Sequence, residues 1–197
     1  MREVEVKGVV PDLAAARAAL LRAGARLLLE GTMVDRRYDT PGFDLRTRDE
    51  VLRIRITRGN GGVEARVDFK GPATYPDGFK VREEVGTTIG DVDVLEQILA
   101  SLGYRISREI EREIEVFELS GATARFETYP RMDVLVEVEG DPEGIERAID
   151  ATGITRSAFT TERLADFVGR YEARTGQRAA LCARELHGDF TYRIDDA

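Results

Sequence analysis

The sequence predicts an α+β fold: an eight-stranded antiparallel β-barrel, closed into a tunnel with a charged interior, with helices packed on its outside. Three observations carry this expectation. Short segments alternating apolar and charged residues recur between residues 3 and 140. The connections between them are short, as in an antiparallel meander. The charged faces of these segments are almost wholly Arg, Lys, Glu and Asp, which suits a cavity better than a wet surface.

The elements follow in order. EVEVK at residues 3–7 alternates strictly, so Val4 and Val6 lie on one face of a strand and Glu3, Glu5 and Lys7 on the other. PDLAAARAALLRAGA is a helix, with Pro11 and Asp12 suited to its start and Gly24 to its end. MVDRRYDT precedes a hairpin, VLRIRITR and VEARVDFKG, joined by GNGG, whose Asn-Gly chemistry is that of a tight turn rather than of a phosphate loop before a helix. VREEVGTTIG leads into DVDVLEQILASLGY, where Leu95, Ile98, Leu99 and Leu102 form an apolar stripe. REIEREIEVFEL, ATARFETY and DVLVEVEG are strands, and DPEGIERAIDATG a third helix. Strand, acidic helix start, amphipathic helix and glycine thus occur three times, each unit too short to bury its own apolar face. TTERLADFVGRYEART and AALCAREL are helical. The expected organisation is one domain over residues 1–175 and a tail over 176–197 carrying the short helical segment.

Composition narrows the function classes. The chain has 197 residues, enough to bury a substantial core, and carries a net charge of −8. That balance argues against a general nucleic-acid binder, whose basic excess would release counterions from phosphates. No apolar run is long enough for a bilayer and no leader is evident, so a soluble, cytoplasmic protein without a membrane partner is expected. Cys182 is the only cysteine, which excludes an internal disulfide or thiolate zinc cluster. His187 is the only histidine and lies in a polar stretch, so acid–base chemistry falls to carboxylates, Lys or a metal-bound water. Cys182 and His187 read as incidental, and Met132 as packing.

Sorting each strand by parity gives the functional signal. Leu52, Ile54 and Ile56 oppose Arg53 and Arg55; Val67 and Phe69 oppose Arg66, Asp68 and Lys70; Val81 and Val85 oppose Lys80, Arg82 and Glu84. Arg125 shares a face with Glu127, and Glu137 with Glu139. Like charges two residues apart repel unless a counterion lies between them. Glutamate pairs and arginine pairs fall on different strands, as expected if carboxylates gather round a cation and guanidiniums round an anion. Closing the barrel with these faces inward supplies the cavity. Mg²⁺ takes a few carboxylates together with phosphate oxygens, and Arg suits phosphate through its planar donors. A triphosphate-containing small molecule with its metal demands both groups at this density.

These residues also resemble a known family. EVEVK resembles the ExExK signature of the CYTH superfamily, also called triphosphate tunnel metalloenzymes, and the chain is similar to class IV adenylate cyclases and thiamine triphosphatases. VDRRYDTP resembles the family's D-x-x-Y-[FY]-D element, VLRIR its L-R-[IL]-R strand, FKGP its K-G-P element, VREEV its R-x-E strand and VLVEVEG its late E-x-E. The six elements run in register over residues 3–139. The resemblance implies a tunnel open to solvent, with Mg²⁺ or Mn²⁺ on Glu3, Glu5, Glu127, Glu137 and Glu139. It implies triphosphate on Lys7, Arg53, Arg55, Lys70 and Arg82, with Arg125 as an added contact, and a catalytic role for Lys7 and Arg112. By analogy with the family alone, the chain is compatible with a homodimer. Three activities follow: a metal-dependent triphosphatase acting on inorganic, thiamine or nucleoside triphosphate, a class IV adenylate cyclase, or a non-catalytic polyphosphate or nucleotide clamp.

The departures are Arg112 and Ile114 where the family carries K-x-R, Glu127 for an Asp, and Gly86 and Asp133. A guanidinium stays protonated and cannot easily transfer a proton. Asp35, Tyr38 and Asp39 are read as shaping the turn into the hairpin.

Overall fold

The computed structural model describes residues 2–192. In chain order these form β1 (Arg2–Val9), α1 (Leu13–Arg22), β2 (Arg26–Asp39), α2 (Asp44–Thr47), β3 (Val51–Gly59), β4 (Gly62–Lys70) and β5 (Lys80–Thr88). There follow α3 (Val92–Ser101), β6 (Arg105–Leu119), β7 (Ala122–Thr128), β8 (Leu135–Glu139), α4 (Pro142–Thr152), β9 (Phe159–Thr160), α5 (Leu164–Thr175) and α6 (Ala183–Leu186). The tail expected over 176–197 is described only as far as residue 192.

Eight strands pair antiparallel in the order β5-β4-β3-β2-β6-β7-β8-β1, and β1 pairs back to β5, closing the barrel. At the seam Glu3 stands opposite Arg82 and Glu5 opposite Lys80. Where β5 stops, β9 takes over the same edge of β1, with Lys7 opposite Thr160 and Gly8 opposite Phe159. A Cβ on Gly8 would lie 3.1 Å from the Ala158 carbonyl oxygen, so the glycine allows this ninth strand its close approach. A strand of only two residues, Phe159–Thr160, is too short to carry a periodic signal in the sequence.

Each of the three repeated units is built as its residues dictate. Asp12, Asp91 and Asp141 accept the backbone N–H three residues on, at 2.9, 3.0 and 2.9 Å, and so cap α1, α3 and α4. Gly24, Gly103 and Gly153 adopt positive φ just beyond the helix ends. The GNGG hairpin is a two-residue turn, with Gly59 opposite Gly62. β2 is longer than MVDRRYDT because the apolar run at Leu27–Leu29 also joins the sheet, through a bulge against β6.

The outward apolar faces pack as predicted. Val6, Val136, Val138 and Phe126 meet α1 and α4 through Ala16, Leu20, Ile145 and Ile149. Ile54, Ile56 and Tyr38 meet Leu95 and Leu99 of α3. α5 does something different. Leu164, Phe167 and Val168 pack on Ile110, Tyr129 and Leu135; Ile110 and Tyr129 also line the interior cavity. The helix therefore covers one end of the barrel with an apolar plug. Residues 179–182 are buried in the same region, and Arg131 and Ala180 exchange backbone hydrogen bonds at 3.1 and 2.8 Å. Arg108, 0% exposed on β6, donates to both carboxylate oxygens of Glu185 at 2.5 and 2.9 Å, and Glu185 also accepts the Leu181 N–H at 2.7 Å. Arg174 on α5 pairs with Asp133 at 2.5 Å, which gives that residue its role: it ties the last turn of α5 to the segment before β8.

A buried bidentate pair broken on one side leaves an uncompensated charge. Arg108→Ala is expected to lower unfolding free energy by about 3–5 kcal/mol in urea titration at neutral pH, and a loss below about 1 kcal/mol contradicts the anchoring role.

Candidate functional site

The inward faces of the barrel enclose a cavity that opens to solvent. Its wall is charged. Glu3, Glu5 and Lys7 enter from β1, Asp35 and Arg37 from β2, Arg53 and Arg55 from β3, and Lys70 from β4. Lys80 and Arg82 enter from β5, Arg112 from β6, Arg125 and Glu127 from β7, and Glu137 from β8.

These charges are interleaved as ion pairs. Lys70 bonds Glu3 at 2.5 Å and Lys80 bonds Glu5 at 2.6 Å. Lys7 meets Glu137 at 2.7 Å, and Arg125 donates to Glu137 and, at 2.9 Å, to Glu127. Burial works against the charge on Lys7, but Glu137, Glu127 and Glu5 outweigh it and hold the ammonium above its usual pKa. Burial likewise opposes the charge on Glu127, yet Arg112, Arg125 and Lys7 pull it down to about 2. Glu137 is held well below the usual carboxylate range by Arg125 and Lys7 against the same opposition. Glu139 is the exception. It has no side-chain hydrogen bond or salt bridge among the described residues, and burial together with Glu137 and Glu3 pushes it up to about 7.

On the β2–β3–β6 side, Asp35 is 2% exposed and accepts from Arg55 at 2.7 and 2.8 Å and from Arg112 at 2.9 Å. Arg53 reaches Asp68 at 2.9 Å. Arg82 pairs with Asp49 at 2.7 Å, and Asp49 also holds Arg163 at 2.9 Å and the Ala73 N–H at 2.7 Å. Arg53 Nε on β3, Arg82 Nε on β5 and Arg112 Nη1 on β6 are buried with no hydrogen-bond partner among the described residues. Unmet donors on buried cations are costly, and an anion would satisfy them.

The structure brings together nearly every site residue expected from sequence. Lys7, Arg53, Arg55, Lys70, Arg82, Arg112, Arg125, Glu3, Glu5, Glu127 and Glu137 all line the cavity. Glu139 sits beside it, opposite Glu5 in the sheet. Ile114 is buried opposite Glu127. Gly86 faces Asp68, and a Cβ there would fall 2.3 Å from Asp68 Oδ1, so an acidic side chain cannot share that position with Asp68.

Of Asp35, Tyr38 and Asp39, expected to shape the turn, only Asp39 does so, accepting the N–H groups of Thr40, Leu45 and Arg46 at 2.7, 3.0 and 3.0 Å. Tyr38 instead packs outside the barrel and donates to Glu96 on α3 at 2.6 Å. Asp35 is mid-strand inside the cavity, because it shares parity with Met33 and Arg37 on β2. Applying to MVDRRYD the parity sorting used on the other strands would have found it, and Arg37 with it. Asp49 lies in a loop, at φ 55°, and carried no periodic signal.

For a divalent cation the donor chemistry fits: hard carboxylate oxygens, one of them crowded by its neighbours into the neutral range. Among the described residues no three such groups converge closely enough to hold an ion, since Glu3, Glu5, Glu127 and Glu137 each turn to a Lys or Arg.

The fold and the cavity define an α+β tunnel protein, a closed antiparallel barrel with ionic side chains inside and helices around it. The chain belongs to the CYTH domain family, whose model matches residues 1–143. It is 27% identical over 139 residues to a Methanocaldococcus jannaschii protein named "Putative adenylate cyclase", covering 71% of this chain and 77% of that one. A solved Pyrococcus horikoshii structure superposes with a TM-score of 0.70 at 23% identity, over 89% of this chain and 99% of that one. A Hippeastrum structure, described as a "Putative adenylyl cyclase" that reveals a dominant triphosphatase activity, superposes with a TM-score of 0.61 at 18% identity, over 91% and 98%. These structural likenesses bear on the fold. Among the described residues no helix is long and apolar enough to cross a membrane.

Glu139 makes a pH prediction. Its folded pKa of about 7 exceeds the ordinary carboxylate value, so the folded state holds the proton more tightly and stability falls as pH rises through that window. Glu139→Gln is expected to raise metal-free stability at pH 8 by about 1–2 kcal/mol, allowing for solvent screening, and to change little at pH 4. Equal effects at the two pH values in thermal unfolding contradict the assignment.

Proposed function

We propose that this protein is an enzyme, a divalent-metal-dependent hydrolase of a triphosphate: inorganic triphosphate, thiamine triphosphate or a nucleoside triphosphate. The observation that carries the reading is the set of unpartnered guanidinium donors, Arg53 Nε on β3, Arg82 Nε on β5 and Arg112 Nη1 on β6, buried on arginines that line the cavity. A polyanion satisfies all three at once. Its oxygens replace Glu137 as partner of Lys7 and Arg125 and Glu3 as partner of Lys70, and those two carboxylates are then released toward a cation. The tunnel's side chains thus neutralise one another, a role that ligand and metal take over on binding.

Glu3, Glu5, Glu137 and Glu139 are the residues proposed to hold Mg²⁺ or Mn²⁺, with Glu127 contributing while it stays bonded to Arg112, Arg125 and Tyr129. A bound divalent ion supplies charge neutralisation on the phosphate oxygens and a template for in-line attack. Lys7 and Arg112 both have raised pKa values, Lys7 through Glu137 and Arg112 through Asp35 and Glu127, each against the opposing effect of burial. They therefore act as fixed positive charges on the phosphoryl group, stabilising charge that develops in the transition state, rather than as proton acceptors.

The second reading is a class IV adenylate cyclase, favoured by the name of the Methanocaldococcus relative; a non-catalytic clamp is the third, motivated by Arg112 and Ile114 at the K-x-R positions. One assay separates them. Protein with Mg²⁺ or Mn²⁺ and triphosphate, thiamine triphosphate or ATP is expected to release phosphate. Cyclic AMP with pyrophosphate indicates the cyclase instead, and tight binding without turnover the clamp. Arg82→Gln leaves Asp49 with Arg163 and the Ala73 N–H. It is expected to lower kcat/KM about 10- to 100-fold, the worth of a charge-assisted contact, with unchanged melting. Full activity in this variant contradicts the anion-binding role of Arg82.

A further inference from the structure

Arg125, Glu127 and Tyr129 follow one another at every second residue along and just beyond β7, so all three side chains turn into the cavity. The buried Glu127 carboxylate divides its bonds unevenly. Its Oε1 accepts from Arg112 Nε at 3.0 Å and from Arg125 Nε at 2.9 Å, while Oε2 accepts from the Tyr129 hydroxyl at 2.6 Å. Tyr129 is fixed from the other side. Its ring belongs to the apolar cluster with Leu164, Phe167 and Val168 of α5, and its hydroxyl is the polar handle it carries into the barrel.

Both arginines spend Nε on Glu127 and keep their Nη ends for other partners. Arg112 Nη2 meets Asp35 at 2.9 Å and Met33 Sδ at 3.1 Å, and Nη1 is the donor with no partner among the described residues. Arg125 Nη2 donates to Glu137. A guanidinium is planar, so tying Nε sets the direction of both Nη groups. A carboxylate held at one oxygen swings about its last bond, and one held at both does not. Without the hydroxyl, Oε2 is left buried and unmet, which is unfavourable, and the carboxylate turns away and takes the guanidiniums with it.

We propose that Tyr129 is a positioning residue: through Glu127 it fixes the Arg112 and Arg125 guanidiniums so that their Nη ends meet the polyphosphate without reorganising. This rests on the triphosphate reading of the tunnel. The hydroxyl acts at one remove from the ligand, and it ties the two arginines to the seat of α5.

The test uses the full chain without metal, with tripolyphosphate in calorimetric titration well below the melting temperature. Tyr129→Phe keeps the ring on α5 and removes the hydroxyl alone. It is expected to weaken tripolyphosphate binding about tenfold and to lower kcat/KM for tripolyphosphate with Mg²⁺ by a similar factor. A merely structural hydroxyl lowers melting and leaves this affinity unchanged, so wild-type affinity in a folded Tyr129→Phe protein overturns the proposal. Glu127→Leu removes the carboxylate and with it the route by which Tyr129 acts. This variant and its double with Tyr129→Phe are expected to bind tripolyphosphate within about twofold of each other, a comparison that stands even if Tyr129→Phe alone fails to fold. A further loss of about tenfold in the double variant shows that the hydroxyl acts by another route and overturns the proposal. Failure of the triphosphate reading looks different: wild type then gives no tripolyphosphate response with or without Mg²⁺. Position is read independently of any ligand, from the hydrogen exchange of arginine Nε–H groups by NMR in protein with isotopically labelled arginine. Tyr129→Phe is expected to speed exchange at Arg112 and Arg125 several-fold, and unchanged rates overturn the positioning role.

Discussion

Where β1 closes the barrel against β5, Glu3 and Glu5 stand opposite Arg82 and Lys80, and the Glu5–Lys80 pair spans the seam at 2.6 Å. The rest of the interior obeys the same constraint. Strand parity turns every second side chain inward, a closed sheet leaves those side chains little water, and each inward charge must find an opposite one. Glu3–Lys70, Lys7–Glu137, Arg125–Glu127, Arg112–Asp35 and Arg53–Asp68 are the local solutions. Buried ion pairs of this kind contribute little net stability, because desolvation offsets their attraction. Stability comes from the opposite faces of the same strands, where Val6, Val136, Val138 and Ile54 lie under helices. One alternation therefore separates the work of folding from the work of binding.

Two places in or beside the cavity escape the pairing, and both lie where a ligand would matter. Glu139 has neighbours of its own sign, and the arginine wall has donors that no side chain meets. An acid that a cation would relieve sits beside the chamber whose arginines an anion would satisfy. That juxtaposition is more specific than charge density alone, which self-pairing could fully absorb. At one end α5 adds an apolar cover over Ile110, Tyr129 and Leu135.

Much of this was legible in the sequence because it depends on period-two alternation, a local property. VLRIRITR, VEARVDFKG and VLVEVEG place their side chains without reference to anything distant, and the Asp caps and glycines mark the helices equally locally. What escaped depends on contacts made across the fold. Asp35 looked like part of a turn beside Asp39, and only the neighbouring β3 and β6 reveal it as the centre of an arginine cluster. Asp49 reaches the cavity from a loop. Gly86 has meaning only once Asp68 is seen across from it, and Asp133 only once α5 returns to it. The plug formed by α5 was readable as a helix but not as a lid, since amphipathicity fixes that a face is buried and not what it covers.

The central claim is that the cavity trades its internal ion pairs for a polyphosphate and a divalent cation. The most direct measurement is a crystal structure with tripolyphosphate and Mn²⁺, the metal located by its anomalous scattering. The account predicts phosphate oxygens on Arg53, Arg82 and Arg112, Mn²⁺ beside Glu139 and Glu3, and the Glu3–Lys70 contact opened. Tripolyphosphate bound outside the barrel, with the interior ion pairs intact and no metal near Glu139, would contradict it.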